Sequence, residues 1–166
     1  MLYVYVIVRT VLLNKGENIM RLEGKIGLVT AAGSGMGRAG AIRFAQEGAA
    51  VGVVDVDEDA VASVVSEIEE NGGKAKGIVA DLTKDADSKR IVTETAKYFN
   101  GLDFVWNHVG YPGPASVEGV EMDDFDLTLD LNLRTILITT DAALTELRAR
   151  GGCLLYTSDA ADDLRC

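Results

Sequence analysis

The sequence predicts an α/β fold, a doubly wound parallel sheet, from three observations. Short β-branched runs alternate with helical patterns from residue 25 onward. The runs are apolar almost throughout, as strands buried on both faces by crossover helices must be, where a half-wet sheet would alternate. A glycine-rich loop joins the first run to the first helical pattern, the junction expected of a ligand-binding sheet edge.

The elements follow in order. IGLVT at 26–30, AVGVVD at 50–55, AKGIVAD at 75–81 and LDFVWN at 102–107 read as the strands. Residues 38–47 form the first helix, with Ala39, Ile42, Phe44 and Ala45 apolar and Gly48 placed to end it. In 58–70, Ala60, Val61, Val64, Val65 and Ile68 share one face opposite Glu67, Glu69 and Glu70, and Asn71-Gly72-Gly73 stops the helix. A third helix near 85–99 turns Ile91, Val92, Thr95 and Phe99 inward, and a long fourth runs from about 122 to 150. The connections are right-handed by default. No internal repeat or domain-length linker interrupts the chain.

Composition bounds the function. With 166 residues, 48% hydrophobic and 25% charged, the chain has the make-up of one soluble globular domain. A net charge of -10 repels phosphate backbones, so no nucleic-acid partner is expected. Cys153 and Cys166 lack metal-ligand partners at useful spacing, which argues against a zinc site or a disulfide framework and for a reduced, cytoplasmic setting. The apolar stretch Leu2 to Val8 is too short to span a bilayer and lacks the pattern of a secretory signal, so no membrane association is expected. Residues 1–19 read as an extension or upstream read-through ahead of a domain at 20–152.

Thr30-Ala31-Ala32-Gly33-Ser34-Gly35-Met36-Gly37 is a strand-to-helix turn. There glycines let the main chain approach a pyrophosphate, and the helix N-terminus faces the anion. Glycine clusters also serve plain turns; the flanking strand and helix give this one its ligand-binding context. Asp55 ends the second strand, where a carboxylate can accept hydrogen bonds from the adenosine ribose and repel a 2'-phosphate, which points to NAD. Asp55 could also open the acidic turn of Asp57, Glu58 and Asp59 and cap the next helix, a role compatible with the first.

Thr30 to Gly37, Asp55, Val79-Ala80-Asp81-Leu82, Asn107-His108-Val109-Gly110 and Asn132 come in an order that resembles the short-chain dehydrogenase/reductase family, from about Leu22 to Gly152. The resemblance implies a Rossmann-type sheet and a nicotinamide cofactor. It also implies that Gly33, Ser34, Gly35, Met36 and Gly37 line the pyrophosphate, that Asp81 and Leu82 flank the adenine, and that Asn107 and Gly110 line the cofactor cleft. Asn132 would be the asparagine of the catalytic group. The departures are Ala31, in place of the family's first loop glycine, and His108-Val109, in place of Asn-Ala in its Asn-Asn-Ala-Gly turn. Asp81 could otherwise cap a helix after Thr83, Asn107 could satisfy main-chain groups at a strand end, and Asn132 could be a merely structural polar residue. His108 sits where the family uses no acid or base, and Trp106 is expected in the core.

The family's catalytic Ser and its Tyr-x-x-x-Lys motif are not found. Asp159 stands where the serine would be, Ser158 is only its neighbour, and Tyr156 lies within a strand-like run with no Lys after it. Residues 153–166 resemble translated sequencing-adapter read-through, so the Rossmann domain is expected to be C-terminally incomplete and this chain to lack turnover. The implied parent oxidises alcohols or reduces carbonyls of small molecules and assembles as a homo-oligomer through the fourth helix. Two other readings compete. The missing Tyr and Lys favour a non-catalytic dinucleotide-binding or interaction module for this chain, whereas Asn132, of no use to a mere binder, favours the oxidoreductase for its parent. An S-adenosylmethionine enzyme does not account for the ordered Asp81, Asn107 and Asn132.

Overall fold

The computed structural model describes residues 20–156, so residues 1–19 and 157–166, with Ser158 and Asp159, lie outside the described residues. The strands are β1 (Ile26–Val29), β2 (Ala50–Asp55), β3 (Lys74–Val79), β4 (Phe104–Asn107) and β5 (Cys153–Tyr156). They form one parallel sheet in the order β3-β2-β1-β4-β5. The order reverses between β1 and β4, the switch point beside which sheets of this kind hold ligands at the C-terminal ends of their strands. Burial matches the apolar runs: all of β1 and the four central residues of β2 are buried, while the outer strand β3 is exposed at both ends.

Two apolar cores occupy the two faces. On one, Leu28, Val54, Ile78, Ile91, Leu102 and Leu147 pack with α3 (Asp85–Phe99) and α5 (Thr135–Arg150). On the other, Val29, Val51, Val53, Ala45, Val64 and Ile68 pack with α1 (Gly35–Gln46) and α2 (Glu58–Glu70). Trp106 joins this second core half-buried, edge-on to Phe44 at 5.6 Å. Among the described residues no helix is long and apolar enough to cross a membrane.

Each helix boundary has a local cause. α1 starts at Gly35, three residues earlier than the sequence pattern, because the glycine loop itself turns into the helix; Ala41 is buried on its inner face and Ala39 is exposed. Gly48, at φ 92°, closes the turn after α1 with its N–H on the Ala45 carbonyl. α2 buries Val61, Val64 and Ile68, and the Asp57 side chain accepts from the Ala60 N–H at its start. α3 ends on Asn100 in the left-handed region. The expected single helix over 122–150 is instead three pieces. α4 (Met122–Leu129) passes into a π-helical turn, Asp130–Arg134, before α5 continues. The Thr135 N–H reaches back five residues to the Asp130 carbonyl.

Candidate functional site

The glycine loop leaves β1 at Thr30 and enters α1 at Gly35. Ala31 takes φ 50°, a left-handed conformation that side chains other than glycine rarely adopt. Gly37 sits so close to the Ala31 carbonyl oxygen that a Cβ there would overlap it. At Gly35, φ 53°, an added Cβ would meet nothing within 4 Å, so this side of the loop is open. Ser34 stands at the N-cap without a side-chain hydrogen bond, and the first turn of α1 carries no acid. α2, by contrast, has its Asp57 cap with Glu58 and Asp59 in the first turn. The start of α1 thus keeps its positive end free for an anion.

Asp55 closes this loop from the neighbouring strand. Its Oδ2 accepts from the Gly33 N–H at 2.8 Å, and its Oδ1 accepts from the Val56 and Asp57 N–H groups at 2.8 and 3.3 Å. The carboxylate is therefore fixed against the loop, and capping of α2 falls to Asp57.

The other wall is the turn after β4. Thr30 is fully buried, and its hydroxyl oxygen accepts from the His108 and Val109 N–H groups at 2.9 and 3.0 Å. One side chain so ties the start of the glycine loop to the 107–110 turn. Asn107 is fully buried; its Nδ2 donates weakly to Thr140 Oγ1 at 3.5 Å, and its Oδ1 has no partner among the described residues. Gly110 lies directly against the Asn132 amide.

Asn132 projects from the π-helical turn and grips the main chain of Tyr111: its Oδ1 accepts from the Tyr111 N–H at 2.9 Å and its Nδ2 donates to the Tyr111 carbonyl at 2.7 Å. The Tyr111 phenol is bonded to the Asp124 carboxylate, which raises its pKa above the ordinary value by opposing a second negative charge.

After β3, the Asp81 carboxylate accepts from the Thr83 hydroxyl at 2.6 Å and the Thr83 N–H at 3.2 Å and pairs with Lys84 at 3.2 Å. These partners, the Thr83 hydroxyl first, hold its pKa below the ordinary carboxylate value. Asp81 therefore organises the turn ahead of α3, whose N-cap is Lys84. The Leu82 side chain is 7% exposed and belongs to the core, and its carbonyl accepts from Thr135 Oγ1 at 2.7 Å, just past the π-helical turn.

The residues read as cofactor-binding, together with Asn132, lie at or just after strand ends on one edge of the sheet, in the first turn of α1 or on the π-helical turn. The contacts Gly33 to Asp55, Thr30 to His108 and Gly110 to Asn132 join the glycine loop, Asp55, the β4 turn and Asn132 into one unit. Leu82 is bonded to Thr135 beside the π-helical turn, and Ala80, next to Asp81, donates its N–H to the Asp55 carbonyl at 2.9 Å. Thr30 and Thr140 were not distinguishable in sequence from any other threonine near a strand end or on a helix.

Residues 25–162 match the family model described as short chain dehydrogenase. A 3beta-hydroxysteroid dehydrogenase of Mediterraneibacter gnavus is 36% identical over 151 residues, covering 90% of this chain and 55% of that protein. A solved 7α-hydroxysteroid dehydrogenase, complexed with NADH and 7-oxo glycochenodeoxycholic acid, superposes with a TM-score of 0.80 at 30% identity, covering 89% of this chain and 58% of the other. A Burkholderia cenocepacia short chain dehydrogenase in complex with NADP gives 0.79 at 32%, covering 87% and 60%. The chain spans about half the length of the curated relatives it matches. With the family model matched over residues 25–162 and the parallel sheet superposing on solved members, the chain belongs to the short-chain dehydrogenase family.

Proposed function

We propose that this chain is the dinucleotide-binding part of an oxidoreductase of the short-chain dehydrogenase type, with NAD as its cofactor. The observation that carries the reading is the joint at the C-terminal ends of β1 and β2, where the uncapped first turn of α1 stands beside a carboxylate held by the loop's own Gly33 N–H. Gly33, Ser34, Gly35, Met36 and Gly37 would hold the pyrophosphate, with the open space at Gly35 giving it room. Asp55 would accept from the ribose hydroxyls, and its fixed charge disfavours a 2'-phosphate. Asp81 and the main chain of Leu82 would flank the adenine, and Asn107 and Gly110 the cleft beyond it. The bound nicotinamide supplies or takes a hydride. Asn132 serves that chemistry by fixing Tyr111 and the adjoining rim.

The substrate class is a small alcohol or carbonyl compound, in keeping with the hydroxysteroid dehydrogenases among the relatives. The exposed apolar line of Met122, Phe125, Leu129, Leu133 and Leu137 supports self-association of the parent through α4 and α5. Titration with NADH, read by energy transfer from Trp106 to the dihydronicotinamide, tests the cofactor. Trp106 is the chain's one tryptophan. Saturable transfer is expected, with NADPH weaker by about tenfold or more. No binding, or equal affinity for the two, would overturn the assignment.

A further inference from the structure

His108 is the chain's one histidine, and its main-chain N–H donates to Thr30 Oγ1 where the glycine loop meets the turn after β4. On one side it lies over the Trp106 indole, ring centroids 4.7 Å apart and tilted 38°. On the other, its Cδ2 is so near Gly37 that a Cβ there would come within 2.8 Å of it. Its Nδ1 is sealed from water and has no hydrogen-bond partner among the described residues. Nε2 is bonded to Cδ2 and therefore lies on the ring edge that borders Gly37.

These contacts constrain the ring's chemistry. A buried N–H without an acceptor is rarer in folded proteins than a buried acceptor without a donor. In the neutral ring the proton therefore belongs on Nε2, leaving Nδ1 as the bare lone pair. Gly37 stands in the first turn of α1, where uncapped N–H groups would draw an anion. The Nε2 edge of the ring therefore borders the turn on which such an anion would sit, with the Trp106 indole against the ring. The family turn that this segment resembles carries asparagine at this place, whose shorter amide ends one bond earlier.

We propose that His108 is a phosphate-binding residue, its Nε2–H donating to a phosphate oxygen of the dinucleotide seated on the glycine loop. The inference rests on the reading that the loop takes a dinucleotide. ADP-ribose and adenosine are the probes, since they share the base and ribose and differ in the phosphates. In the ¹⁵N-labelled chain a single imidazole reports, with no assignment ambiguity. Nε2 is expected to carry the proton, and its resonance to shift on adding ADP-ribose but not adenosine. His108→Phe keeps a ring on Trp106 and removes both nitrogens. It should weaken ADP-ribose binding about two- to tenfold, the worth of one hydrogen bond, and leave adenosine binding unchanged. His108→Gln, whose amide nitrogen falls near the Nε2 position, should restore affinity; His108→Asn, which falls near Nδ1, should not.

Unchanged ADP-ribose affinity in His108→Phe, equal losses for both probes, or rescue by Asn rather than Gln would overturn the proposal while leaving the dinucleotide reading intact. Failure of the unmodified chain to bind ADP-ribose would overturn both. Should His108→Phe not fold, the resonance decides: an Nε2 signal indifferent to ADP-ribose overturns the proposal.

Discussion

At the residue scale, the glycine loop holds a cost that one substitution would relieve. Ala31 adopts φ 50° where the family carries glycine. The left-handed region costs a residue with a Cβ about 1–2 kcal/mol. Glycine would remove that strain and add back roughly 0.5–1 kcal/mol of unfolded-state freedom. Ala31→Gly should therefore stabilise the chain by up to about 1 kcal/mol. A rise in the urea midpoint at constant m-value checks it, and a fall would mean that the Ala31 methyl packs productively. The position is half-buried beside Gly37, whose missing Cβ is what lets the Ala31 carbonyl approach. Residue types at such places were legible because glycine and terminal aspartate have few other uses in that context. Thr30 was not, because nothing in its spacing reveals that its hydroxyl accepts two N–H groups from a turn 78 and 79 residues away.

At the element scale, the strands were legible to within two residues: β1, β2 and β4, buried along most of their length, are apolar until their ends, and the outer strand β3 was legible from its β-branched end despite Lys76. The helices of the first half were legible for the same reason in reverse: Val61, Val64 and Ile68 repeat at the helical period and are the residues α2 buries. The π-helical turn was invisible. Met122, Phe125, Leu129, Leu133 and Leu137 keep three- and four-residue spacing across it, and no proline or glycine marks it. Its consequence lies in hydrogen bonds, which aim Asn132 at the main chain of Tyr111. Asn132→Asp keeps the acceptor and loses the donor, setting a carboxylate against the Tyr111 carbonyl. A stability loss of about 1 kcal/mol is expected, the worth of one exposed hydrogen bond. Hydrogen exchange should quicken selectively in residues 110–114. Unchanged exchange there would show that the rim does not depend on Asn132.

At the scale of the whole molecule, the edge of the sheet opposite the site is closed by charge. Asp103, 5% exposed, accepts from the Ile26 N–H at 2.9 Å and pairs with Lys25 at 3.4 Å and Arg150 at 3.1 Å, joining β1, β4 and the end of α5. Burial by itself would raise its pKa. The Arg150 and Ile26 hydrogen bonds and the two positive charges outweigh it, and the value lies below the ordinary 3.8. Glu47 is lowered from 4.5, chiefly by its hydrogen bond from Arg21. Since both folded values are depressed, the unfolded chain binds more protons as the solution is acidified. The stabilisation is fully present above the unfolded values and is lost as pH falls through the folded ones. Stability should thus be flat near neutrality and decline below about pH 5. Asp103→Asn should lower stability at pH 7 by about 1–3 kcal/mol and make the acid decline shallower. Urea midpoints between pH 3 and 7 decide it, and an unchanged acid slope would remove Asp103 from the account.

The same scale carries the case for self-association. Leu133 and Leu137 are more than half exposed on a helical line that also holds Met122, Phe125 and Leu129. Five large apolar side chains aligned over about 20 Å of helix are unusual on a surface that remains wet. Leu133 and Leu137 stand outside both apolar cores, so replacing these two should not weaken the core. Burying a leucine on association contributes about 1.5–3 kcal/mol. In a symmetric pair each substitution acts twice, which makes the effect large. Leu133→Glu combined with Leu137→Glu should therefore weaken self-association by about a hundredfold or more. The unfolding free energy from urea titration, measured where the unmodified chain is monomeric, should stay within about 0.5 kcal/mol of that chain's. Sedimentation velocity across a concentration series separates the cases. An unmodified chain that stays monomeric at high concentration, or a double variant that associates equally well, would leave the apolar line without this role. A double variant that instead loses stability as a monomer would place those leucines in packing within the chain.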